Sequence, residues 1–210
     1  MLRAIPAVAD EMRVGDLVRR PAAATVLDLP LELELDGLLS PWDYARDMDV
    51  VVDAAAHSLR LGVTRLSSVT RKTTGTGHIL PLRWIEGSPR TAVDAGDRSP
   101  VPTSALLDSG AVVNLLCADL AAALHRTVDA AAQGIGAGGA VVLHQTRALP
   151  MRTGNAEARC LPVMVKRCAA DPSALVDEPA GIVLGMPWFL NAPIGFPARR
   201  HVALQLPQCA

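Results

Sequence analysis

Ala105-Leu106-Leu107-Asp108-Ser109-Gly110-Ala111 is the stretch on which the reading of this chain turns. Three apolar residues running directly into turn formers predict a short strand that ends in a loop. In that loop the glycine lets backbone come close to a carboxylate, and the serine hydroxyl offers both a donor and an acceptor to fix it. Asp-Ser-Gly by itself is also what ordinary turns are made of, so the surrounding sequence has to decide.

Downstream, Leu115 to His125 has the apolar spacing of a short helix. Gly134-Ile135-Gly136-Ala137-Gly138-Gly139 then makes a glycine tip, followed by a strand at Ala140 to His144. Further strands are expected at Arg159 to Lys166 and Gly181 to Leu184, a helical turn at Pro187 to Leu190, and a last strand at Val202 to Leu206. Upstream, Ile79 to Ile85 reads as a strand, and Glu86 to Ser104, rich in Gly, Pro, Asp and Ser, reads as a loop. The fold class expected is mostly β with one or two short helices. Gly134, Gly136 and Gly139 fit a dinucleotide fingerprint in spacing, but that site needs a strand before it and a helix after it, the reverse of the order here.

The first third is less informative. Leu31 to Leu35 alternates Leu and Glu, the period of a half-buried strand. Ser40-Pro41 has the form of a helix start, and Trp42 to Leu61 continues as a helix or, around Val50 to Val52, as a strand. Val63 to Gly77 is polar and reads as a linker. The expected division is therefore an α/β N-terminal segment, 1–76, of no assigned role, and a second domain at 77–207.

Half of the 210 residues are apolar, enough for a core, while aromatics are only 3%, so that core should be aliphatic. Trp188, in an apolar run, is expected inside it. A net charge of -1 gives no basic footprint for nucleic acid. Cys117, Cys160, Cys168 and Cys209 form no CxxC pair, and the five histidines show no ligand spacing, so neither a metal site nor a disulfide framework is signalled and the thiols read as reduced. Met1 to Asp10 lacks the apolar stretch of a signal peptide, which argues for an intracellular, cytoplasmic location. Pro179 to Ala198 is uncharged up to its last residue but contains Pro187, Pro193 and Pro197, so it is expected to be a buried segment and not a membrane span.

The apolar-Asp-Ser-Gly-Ala strand is followed, in order, by the glycine tip and by Gly181-Ile182-Val183-Leu184-Gly185-Met186-Pro187-Trp188. With both segments in view, residues 77–206 resemble the retropepsin-like aspartic proteases of gypsy-type retrotransposons. The resemblance implies a closed β-barrel of the acid protease fold. It implies Asp108 as the catalytic aspartate, with Ser109, Gly110 and Ala111 supporting its loop. Gly134, Ile135, Gly136, Ala137, Gly138 and Gly139 would belong to a flap over bound peptide, and Leu184 and Gly185 would pack behind the active-site loop. Only one such motif is present; Asp94-Ala95-Gly96 lacks the hydroxyl. A second copy of the chain would therefore complete the site as a homodimer. The implied partner is a peptide or polyprotein substrate, with no metal, organic cofactor, direct nucleic acid or membrane. The chain departs from the family in having Gly195 and Phe196 where Asp and Trp are usual, and in a longer segment between Ile85 and Ala105. A dimerisation or peptide-binding module of the same fold, without catalysis, is the alternative.

Overall fold

The computed structural model describes residues 4–27, 38–45, 47–62, 78–85, 87–97, 99–136, 139–153, 159–168, 181–190, 194–196 and 201–204. The expected strand at Leu31 to Leu35, the linker from Val63 to Gly77, Ala137 and Gly138 of the tip, Asn191 to Pro193 and Cys209 lie outside the described residues. The chain forms two compact units, Met1–Leu38 with Gln133–Val141, and Leu39–Ala132 with Val142–Ala210.

In the first unit, β1 (Ala4–Ala9), β2 (Met12–Val14), β3 (Leu17–Arg19) and β4 (Ala22–Leu27) make two nested antiparallel ladders. β1 pairs with β4 from Ala4↔Leu27 to Ala9↔Ala22, and β2 pairs with β3 inside them. Gly15, at φ 57°, supplies the positive φ that a two-residue hairpin turn requires. Glu11 accepts from both Arg13 and Arg20 at the base of the inner hairpin.

The second unit opens with α1 (Pro41–Tyr44), one turn long, with Ser40 at its N-cap and proline at its start. The open choice at Trp42 to Leu61 resolves into that turn followed by β5 (Val50–Asp53) and β6 (Ser58–Leu61). Next come β7 (His78–Pro81), β8 (Arg83–Ile85), β9 (Ser88–Ala95), β10 (Val101–Leu107) and β11 (Leu115–Cys117). After α2 (Ala118–Ala123) run β12 (Ala131–Gly136) and β13 (Gly139–Gln145), whose stretch Gln133–Val141 belongs to the first unit, then β14 (Leu149–Arg152), β15 (Arg159–Leu161) and β16 (Met164–Lys166). β17 (Ile182–Leu184), α3 (Met186–Phe189), β18 (Ile194–Phe196) and β19 (His201–Leu204) complete the chain. The stretch from 179 to 198 thus holds a strand, a helical turn and a second strand, and no helix among the described residues is long and apolar enough to cross a membrane.

The protein is mostly β with a few short helices, as expected. Among the described residues the larger sheet follows the order β12-β13-β16-β11-β17-β10-β9-β14-β15, with β8 on β9, and it is open. Closure into a barrel needs the first and last strands to share a ladder. Among the described residues no ladder joins β12 to β15, so the expected closed barrel is not found there. A second sheet runs β6-β5-β18-β19-β7; in it Val50–Asp53 lies beside Ile194–Phe196, paired Ile194↔Val52 to Phe196↔Val50.

Two local expectations are corrected. Glu86 to Ser104 is not a loop: β9 and β10 pair antiparallel from Val101↔Ala95 to Leu106↔Arg90. In β9, Pro89, Thr91, Val93 and Ala95 are buried while Ala92 and Asp94 face out, an alternation that composition alone conceals. Leu115 to Cys117 is strand, not the start of the helix, because both its edges find partners: β16 in parallel and β17 antiparallel.

The core is largely aliphatic, with Val50, Leu80, Leu107, Leu116, Leu149 and Ile182 at most 1% exposed. The few aromatics are nonetheless concentrated. Trp42 meets Phe196 edge-on at 4.5 Å and Phe189 at 6.2 Å, and Phe189 meets Trp188 at 5.6 Å. Trp188 is 1% exposed, a core residue as its apolar surroundings imply.

Candidate active site

The two apolar segments that the sequence singles out lie side by side. β10 and β17 pair in parallel through Ala105↔Ile182, Leu106↔Val183 and Leu107↔Leu184. Parallel neighbours need a long crossover, which the intervening 70-odd residues supply. Ala105, Leu107, Ile182 and Leu184 are all buried, so the ladder is held by side-chain packing as well as by its hydrogen bonds.

At the end of this ladder the chain turns. Asp108 N–H donates to Leu184 O at 3.0 Å, extending the pairing by one residue past the strand. Ala111 N–H donates to Asp108 O at 3.2 Å, which closes a four-residue turn. Gly110 N–H donates to Asp108 Oδ1 at 2.9 Å, so the carboxylate is held by its own loop. Asp108 and Ser109 are half-buried and Gly110 is exposed, so the turn reaches the surface.

Leu184 and Gly185 lie directly against this loop. Met186 N–H donates to Ala111 O at 2.7 Å. A Cβ on Gly185 would fall 2.4 Å from Val113 O and 2.5 Å from Ala111 O, closer than any side chain permits. The glycine is therefore required by proximity of two backbones, its own φ of -98° being ordinary. Of the residues implied for a flap, Gly134, Ile135, Gly136 and Gly139 lie on the hairpin of β12 and β13, most of it in the first compact unit. Asp94 is exposed on β9, opposite Pro102 and Arg152. Among the described residues no group of three or more His, Cys, Asp or Glu side chains could hold a metal ion.

Two features escaped the sequence. Asn114 is fully buried, and its carboxamide accepts from Gly185 N–H at 2.8 Å and donates to Pro162 O at 2.9 Å. The signal available for it was a lone amide in the run Val112-Val113-Asn114-Leu115-Leu116, where a polar residue needs a partner. The second is a correction: the thiols read as reduced are bridged. Cys117 and Cys168 form a disulfide with Cα atoms 5.3 Å apart, and Cys160 is disulfide-bonded as well. The parallel pairing of β11 with β16 sets Cys117 opposite Lys166, two residues from Cys168, a proximity that a separation of 51 residues hides.

None of the curated proteins compared with the chain matches it. Residues 92–188, just under half of the chain, match the family described as Aspartyl protease. The matched span runs from β9 to α3 and contains Asp108 to Ala111, Asn114, Leu184 and Gly185. This part of the chain is similar to aspartyl proteases, and that similarity supports an aspartic protease function.

Proposed function

We propose that the chain is an aspartic endopeptidase that works as a homodimer, each copy contributing one Asp108. The observation that carries this reading is the loop built on the β10–β17 ladder, where Asp108 is fixed through its backbone to Leu184 and through its carboxylate to Gly110. A catalytic carboxylate needs that kind of immobilisation, because misplacement by even 1 Å costs about a hundredfold in rate. One chain holds one such loop, so the second carboxylate comes from a second copy related by a two-fold axis. In this arrangement the Ser109 hydroxyl supports the facing loop and Ala111 backs it.

Two carboxylates within hydrogen-bonding distance share a single proton, as aspartic proteases are known for. The ionised Asp108 takes a proton from water as its oxygen attacks the scissile carbonyl carbon. The protonated partner gives its proton to the carbonyl oxygen, and a neutral tetrahedral diol results. Collapse returns a proton to the carboxylate pair, delivers another to the leaving nitrogen, and breaks the C–N bond. No metal or organic cofactor takes part in this scheme.

The substrate class is peptide or polyprotein, with retrotransposon polyprotein processing, or a domesticated derivative of it, as the setting. The protease portion spans 77–207. The Cys117–Cys168 bridge weighs toward an oxidising compartment. The test is cleavage of a mixed peptide library by the purified chain at mildly acidic pH, with and without pepstatin, alongside Asp108→Asn. Cleavage abolished by both supports the reading. Cleavage that survives Asp108→Asn refutes it, and a dimer that cleaves nothing points to the non-catalytic module.

A further inference from the structure

We propose that Asn114 is a positioning residue for Asp108, acting through the peptide group between Leu184 and Gly185; the inference rests on the endopeptidase reading above. Asn114 is 0% exposed, and a buried carboxamide is costly unless its acceptor and its donors are both engaged. Both ends are engaged here, Oδ1 by Gly185 N–H at 2.8 Å and Nδ2 by Pro162 O at 2.9 Å. Its backbone is tied too, since Met164 N–H donates to Asn114 O at 2.9 Å. One residue thus joins the chain after Asp108, the connection between β15 and β16, and the turn after β17.

The decisive point is which peptide Asn114 holds. Gly185 N–H and Leu184 C=O belong to one planar trans unit, so their directions are fixed relative to each other. The N–H goes to Asn114 and the C=O accepts from Asp108 N–H at 3.0 Å. Rotating that plane to break one bond breaks the other. Asn114, the Leu184–Gly185 peptide and the Asp108 backbone are therefore in series, and the side chain that orients the peptide orients the root of the carboxylate.

The chemistry at position 114 is narrow: a group that accepts on one side and donates on the other. A protonated aspartic acid meets both requirements in nearly the same shape. An ionised one cannot donate to Pro162 O and places a charge beside it, and leucine satisfies neither partner. The variants that test the role are Asn114→Asp and Asn114→Leu in the full chain. At about pH 4, Asn114→Asp should retain kcat/KM within about threefold of wild type at the same pH, and at about pH 7 it should fall by about tenfold or more. Asn114→Leu should be impaired at both. A residue that merely fills space predicts a ratio of variant to wild type independent of pH, and that result would overturn the proposal.

Amide hydrogen exchange judges the same link without any turnover. In wild type, Gly185 and Asp108 amides should show matching protection, and in Asn114→Asp at about pH 7 both should lose it. Gly185 exchanging freely while Asp108 stays protected would sink the inference. An inactive wild type with coupled exchange would count against the endopeptidase reading and leave the Asn114 link standing. If neither variant folds, the wild-type exchange decides.

Discussion

Gly185→Ala isolates the contact between the loop that carries Asp108 and the turn behind it. The new methyl carbon would sit 2.4 Å from Val113 O, 2.5 Å from Ala111 O and 2.9 Å from Val113 C. Ordinary contact begins at about 3.4 Å, so about 1 Å of movement is needed in two backbone segments at once. The backbone of residue 185 is no obstacle, since φ -98° and ψ -164° are open to alanine. The cost is overpacking, about 1–3 kcal/mol, plus about 1 kcal/mol if the 2.7 Å bond from Met186 N–H to Ala111 O is lost. A total of about 3 kcal/mol lowers Tm by about 6–12 °C in a chain of this size. Thermal unfolding followed by circular dichroism measures it, with Gly110→Ala as the control. There the added carbon meets only Asp108 Oδ1, at 3.2 Å and on an exposed residue, so Tm should move by less than about 2 °C. Equal melting temperatures for Gly185→Ala and wild type would refute the packing of this turn against the Asp108 loop.

Two further expectations follow from the packing. The Cys117–Cys168 bridge closes a loop across 51 residues, for which loop-closure entropy gives about 4 kcal/mol, so the paired Cys117→Ser and Cys168→Ser variant should unfold at distinctly lower urea. Alkylation of both cysteines in the denatured, unreduced wild type would show the bridge to be absent. Trp42→Ala removes the centre of the Trp42, Phe189 and Phe196 cluster and should cost about 3 kcal/mol, moving the urea midpoint by about 1–2 M; an unchanged midpoint would mean that the cluster contributes nothing.

The sequence by itself determined the mostly β class and the short strand that delivers Asp108 to a turn. It also placed the helical turn after Leu184, the burial of Trp188 and the proline at the head of α1. Each follows from neighbours a few residues apart: an apolar run, a turn former, a helix start. Tertiary structure alone decided the rest, because it depends on which distant segment arrives beside a given strand. Leu115 to Cys117 has a helix's spacing and becomes strand once β16 and β17 supply ladders on both edges. The polar residues of Glu86 to Ser104 concealed a central hairpin whose inward positions are all small or apolar. Closure of the sheet depends on where its last strands find partners, which no local pattern specifies. Cys168 reaches Cys117, and Asn114 reaches Gly185 and Pro162, only after β11 pairs with β16 in parallel and with β17 antiparallel, which brings residues 48 to 71 positions apart into contact. Local pattern placed Asp108 in a turn at the end of a strand; long-range pairing supplied the groups that hold that turn still.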